Sequence, residues 1–109
     1  MTIPKRKTVA GFDDAFQAAD ALRTQVMDER PAHPTDQQWI TYYRAMITAS
    51  TSLVEVYDAA KAVAPGTGII WSALWEASFR YQGEVSRYRK RLADAEARVA
   101  QTAAQDGAE

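Results

Sequence analysis

Cysteine is absent from the 109 residues, which excludes disulfides, thiolate metal sites and thiol nucleophiles. Histidine is nearly as scarce, since His33 stands alone between Pro31 and Pro34. A carboxylate-bridged di-metal bundle needs Glu-x-x-His pairs on facing helices, and one histidine cannot supply them. Ser50 and Ser78 lack a helical histidine to act as their base for the same reason. The expectation is a protein without catalytic residues, metal or organic cofactor, in which His33 is a solvated loop residue.

An excess of either charge is missing as well. Thirteen Lys and Arg against fourteen Asp and Glu leave a net charge of −1 and a pI near 5.8. No global field therefore draws the chain to nucleic acid or to an anionic membrane. The longest uncharged run, Ala62 to Trp75, is broken by Pro65-Gly66-Thr67-Gly68 and is too short to span a bilayer. The basic start Lys5-Arg6-Lys7 has no apolar segment behind it, so a secretory signal is not expected and the cytoplasm is the default location.

What the chain does contain is helical periodicity. At 47% hydrophobic and 25% charged residues it has the composition of one globular domain covering 1–109, with frayed ends at 1–9 and 103–109. Phe12, Phe16, Ala19, Leu22 and Val26 share one face of a helix expected over about 12–30, which Pro31 and Pro34 then stop. Asp13 and Asp14 sit in its first turn and Arg30 at its end, as the helix dipole favours.

A second helix, over about 35–64, opens at Thr35 or Asp36 and carries Trp39, Tyr43, Met46, Ser50, Leu53, Tyr57, Ala60 and Ala64 at alternating spacings of four and three. Further apolar residues flank this seam on both sides: Ile40, Ile47 and Val54 on one, Tyr42, Ala49, Val56 and Val63 on the other. So wide an apolar arc requires more than one neighbour, which makes this helix the middle of the bundle. A third helix, over about 68–102, repeats the alternation with Trp71, Leu74, Ser78, Tyr81, Val85, Tyr88, Leu92, Ala95 and Val99. The expected fold is all-α: a long antiparallel hairpin with a shorter N-terminal helix packed on it.

A turn centred between Pro65 and Gly66 pairs Ala60 with Trp71, Tyr57 with Leu74, Leu53 with Ser78, Ser50 with Tyr81, Met46 with Val85, Tyr43 with Tyr88 and Trp39 with Leu92. Several of these layers set a large side chain against a small one, which holds the helix axes at constant separation. Ser50 and Ser78 then read as spacers whose hydroxyls bond the carbonyl one turn back. Pro65-Gly66-Thr67-Gly68 reads as a helix–helix turn, because a phosphate loop would need a lysine and a preceding strand. The tyrosines read as core, with hydroxyls at the edge of the bundle.

Two features remain for function. Helix 1, spanning about 28 Å at 1.5 Å per residue, is expected to run antiparallel to helix 2 and to end beside Ser50 to Val54. That leaves Ile70, Trp75 and Phe79 near the hairpin turn as an uncovered apolar patch. The second feature is Arg87-Tyr88-Arg89-Lys90-Arg91, whose charges point about 100° apart in turn and so surround the rod, with Glu84, Asp94 and Glu96 near enough for local pairing. The leading expectation is a non-catalytic protein–protein interaction module: a homo-oligomer, a dimer by preference, or a subunit for a heterologous protein, acting as adaptor, assembly factor, inhibitor or accessory subunit. The alternative is a nucleic-acid-associated regulatory protein that uses Lys5–Lys7 together with Arg87, Arg89, Lys90 and Arg91.

Overall fold

The computed structural model describes residues 11–63 and 68–107, and it is all-helical: α1 (Phe12–Asp28), α2 (Asp36–Val63) and α3 (Ile69–Gly107). The basic start Lys5–Lys7, the segment 1–9 expected to be frayed, Ala64, and Pro65 to Thr67, expected as the turn, lie outside the described residues.

Each helix begins for a local chemical reason. Gly11 caps α1 in the left-handed region at φ 77° and Gly68 precedes α3 at φ 112°, conformations that glycine adopts without a Cβ clash. At α2 the Gln38 N–H donates to Thr35 Oγ1 at 3.2 Å, while the Thr35 N–H donates to Gln38 Oε1 at 2.8 Å. That reciprocal capping box satisfies two backbone donors that the first turn would otherwise leave free.

The helix ends differ from expectation at both extremes. α1 stops at Asp28, two residues before Arg30, because Pro31 disfavours helical geometry in the residue before it and the chain tapers through turn bonds to Gln25, Val26 and Met27. α3 continues to Gly107, so the helix runs through 103–107, beyond the end expected near 102. Ala100, Gln101, Ala103, Ala104 and Gln105 are good helix formers, and no proline or glycine interrupts them before Gly107. Among the described residues nothing covers this extension, and residues 100–106 are all exposed.

α2 is the middle element. It packs along α3 and carries α1 on another face. Every described residue of both heptad seams is buried or half-buried, with Met46 and Leu53 wholly enclosed beside Ala49, Ala60 and Ala95. Val26 of α1 joins Met46 and Ala49 in one cluster, closed by Tyr42, Ala45 and Tyr88. The radius of gyration, 18.8 Å, exceeds the roughly 13 Å of a globular chain of about 100 residues, so the molecule is a rod.

The hairpin register shows in its side-chain links. Tyr43 meets Tyr88 at 5.9 Å between ring centroids, as the seam pairing requires. Tyr57 stacks on Tyr81 at 5.9 Å instead of covering only Leu74. The offset has a geometric cause: side chains lean toward their own helix N-terminus, so in an antiparallel pair Tyr57 leans away from the turn and Tyr81 toward it. The same lean extends α1. Phe12 and Phe16 both reach the Tyr57 ring at 5.9 Å, beyond the Ser50 to Val54 limit expected from helix length alone.

Candidate protein interface

Ile70, Trp75 and Phe79 are exposed by 58%, 46% and 63% respectively, large values for such side chains. They do not form one patch. Along α3, Ile70 lies about 140° from Trp75 and about 180° from Phe79 at 100° per residue. Ile70 belongs to the flank that faces α1, where it lines an open apolar groove of about 420 Å³ with Phe12, Phe16, Tyr57, Leu74 and Ala77. Trp75 and Phe79 stack on each other on the opposite flank, 5.5 Å apart and within 5° of parallel. Proximity along the sequence had merged residues that the helix separates.

The flank bearing Trp75 and Phe79 continues into a second groove, about 290 Å³, lined by Thr51 and Val54 of α2 and by Gln82, Val85, Ser86 and Arg89 of α3. Beside it Ser78 Oγ donates to Asp58 Oδ1 at 2.5 Å and accepts from Gln82 Nε2 at 3.0 Å, while Lys61 pairs with Asp58 at 3.2 Å. The polar wall of this face is therefore internally bonded.

On the α1 side the molecule holds a charged network that sequence reasoning missed. Glu84 is buried, only 7% exposed, and accepts two parallel hydrogen bonds from Arg23 Nε and Nη2, both at 2.9 Å. Ser50 Oγ, fully buried, donates to Glu84 Oε1 at 2.9 Å. One carboxylate thus joins all three helices. The guanidinium also lies over the Tyr81 ring at 5.4 Å. The Glu84 carboxylate raises the pKa of Arg23 against the opposing effect of burial. Ser50 and Ser78 are accordingly not spacers bonded to their own helix, because each hydroxyl finds a carboxylate across the seam or beside it. The periodicity of α1 held the missing signal: Arg23 follows Ala19 by four and precedes Val26 by three, whereas Leu22 turns outward and is 39% exposed.

Arg87, Arg89, Lys90 and Arg91 are all exposed. Arg91 lies over the Tyr88 ring at 5.7 Å and Arg89 borders the second groove. The local ion pairs expected for them do not form, because Glu84 is taken by Arg23 and Glu96 by Arg44 at 3.2 Å. None of the four has a salt-bridge partner among the described residues. His33 is exposed in the loop between α1 and α2. Among the described residues no helix is long and apolar enough to cross a membrane. Compared with known proteins, the chain matches no family model, no curated protein and no solved structure.

Proposed function

We propose that this protein is a non-catalytic interaction module that works as a homo-oligomer, a dimer by preference. The observation that carries the reading is the stacked Trp75–Phe79 pair, 46% and 63% exposed on a flank that α1 does not reach. A ring of 150–250 Å² exposed by half leaves about 100 Å², or about 2–3 kcal/mol per ring to be gained on burial at about 25 cal/mol per Å². Gains of that size in the centre of an interface offset much of the entropy lost on association. Light scattering at micromolar concentration tests the reading: the natural chain is expected near twice its 12.1 kDa monomer mass. The Trp75→Glu, Phe79→Lys double variant is expected at monomer mass with unchanged helicity, since neither side chain is core. A natural chain that stays monomeric overturns the proposal.

The unpaired cations of Arg87–Arg91 favour a second reading, nucleic-acid association. Their spread around the rod and the net acidic charge weigh against it, and only weak binding is expected at physiological salt. Submicromolar, salt-sensitive affinity for DNA or RNA that Arg87→Ala, Arg89→Ala and Arg91→Ala together abolish would reverse the order of the two readings.

A further inference from the structure

Resting on the homo-oligomer reading, we infer that the partner is a second copy of this chain, docked α3 against α3 in antiparallel fashion about a two-fold axis at Gln82–Gly83, with Phe79 of each copy seated in the Val54–Ser86 groove of the other. Three independent observations meet at that axis. The first is a knob and a hole on one surface. Phe79 projects 63% exposed, and the groove bounded by Gln82, Ser86 and Arg89 opens on the same flank, its centre about two helical turns further along. An isologous dimer requires that knob i enter hole j while knob j enters hole i, so the axis must lie midway between them. Midway between Phe79 and the hole centred near Val85 to Ser86 is Gln82–Gly83.

The second observation is Gly83 itself. It sits mid-helix, where glycine lowers helix stability, and a Cβ built on it meets nothing within 4 Å. No contact among the described residues explains the missing side chain. A second helix crossing at that point does, because its backbone approaches closest at the axis. Gly83 also lies on the Trp75–Phe79 side of α3, about 40° from Phe79.

Charge is the third observation. Glu76 and Lys90 are exposed, share the Gly83 stripe at heptad spacing, and have no ion-pair partner among the described residues. The two-fold places Glu76 of one copy opposite Lys90 of the other, twice per dimer. It also brings Arg89 of the second copy alongside the Trp75 ring, a cation–π arrangement. A parallel arrangement would set Glu76 against Glu76 and Lys90 against Lys90 instead.

The absence of native cysteine makes the geometry directly testable. Gln82→Cys, next to the axis, should give a disulfide-linked dimer on mild oxidation. Ala97→Cys lies on the same flank but about 43 Å from its symmetry mate at 1.5 Å per residue, and should stay monomeric on a denaturing gel. Glu76→Lys and Lys90→Glu should each weaken self-association about tenfold by setting like charges opposite each other twice. Mixed in equal amounts, the two variants should recover native affinity as a heterodimer, because both opposite-charge contacts are then restored. Gly83→Leu should raise the thermal stability of the monomer yet abolish the dimer. If light scattering shows a dimer but Gln82→Cys does not crosslink and mixing restores nothing, this geometry is wrong while the homo-oligomer reading survives. A monomeric natural chain overturns both.

Discussion

Replacing Glu84 with alanine removes the one carboxylate that binds α1, α2 and α3 together, and the cost can be worked from its partners. Ser50 Oγ, at zero exposure, loses its acceptor, which costs about 1–3 kcal/mol unless the hydroxyl turns back to a carbonyl of its own helix. Arg23 loses two charge-assisted bonds, but its side chain is 22% exposed and regains water, so about half of the usual 1.5–3 kcal/mol per bond is the fair share. The sum is about 2.5–6 kcal/mol, a shift on the order of 15 °C in Tm for a domain of this size. Glu84→Gln keeps an acceptor for Ser50 and should cost about half as much. Glu96 supplies the control: its pair with Arg44 is 47% and 62% exposed, and Glu96→Ala should cost no more than about 0.5 kcal/mol. Urea denaturation followed by circular dichroism measures all three at constant m. Should Glu84→Ala prove no worse than Glu96→Ala, the network would be a surface pair in effect, and the reasoning from burial would fail.

Two further outcomes follow from the same geometry. Burial first, then the neighbouring Tyr81 or Tyr88, holds the pKa of Tyr57 and of Tyr42 above the ordinary value of 10.0. A raised folded-state pKa stabilises the folded form below the unfolded value and loses that contribution as pH climbs through the folded one, so stability should fall from about pH 10 upward, and Tyr57→Phe should flatten that decline in a pH series of urea midpoints. Thr35→Ala removes half of the capping box at α2 and should cost about 1 kcal/mol in the same denaturation assay, with Thr35→Ser restoring most of it.

How much of this was legible in the sequence depends on what each element is bounded by. The α2 and α3 seams were legible because every third or fourth residue is apolar or small, and Pro31 and Pro34 mark the start of the hairpin unambiguously. The end of α3 was not, because a change from seam to polar residues looks like the end of a helix although alanine and glutamine continue it at little cost. Arg23 drew no reading from the sequence, and Glu84 was read only as near enough to pair with the Arg87–Arg91 segment, since a charge on a helix is usually solvated. Only the packing of α1 chooses between Leu22 and Arg23 as the inward residue, and that choice needs the carboxylate of another helix 61 positions away. Ile70 fell on the wrong flank for a simpler reason: five residues along a helix turn the side chain more than a third of the way round.

The charged network also bears on why α1 docks where it does. Ala19 and Val26 are the only buried apolar residues of α1, and Val26 packs on Tyr42, Ala45, Met46 and Ala49 of α2. Apolar burial of that kind is non-directional, so it fixes the position of α1 along α2 less sharply than a pair with defined geometry does. The bidentate Arg23–Glu84 pair is satisfied in a single register, and sliding α1 out of it would leave Glu84 and Ser50 buried without the guanidinium. Docking strength therefore comes from Val26, Phe12 and Phe16, while docking position comes from the ion pair. The position matters for the rest of the surface: with α1 fixed on one flank of α2, the opposite flank with Trp75, Phe79 and the Val54–Ser86 groove stays open, and α1 cannot slide over the hairpin end to cover it.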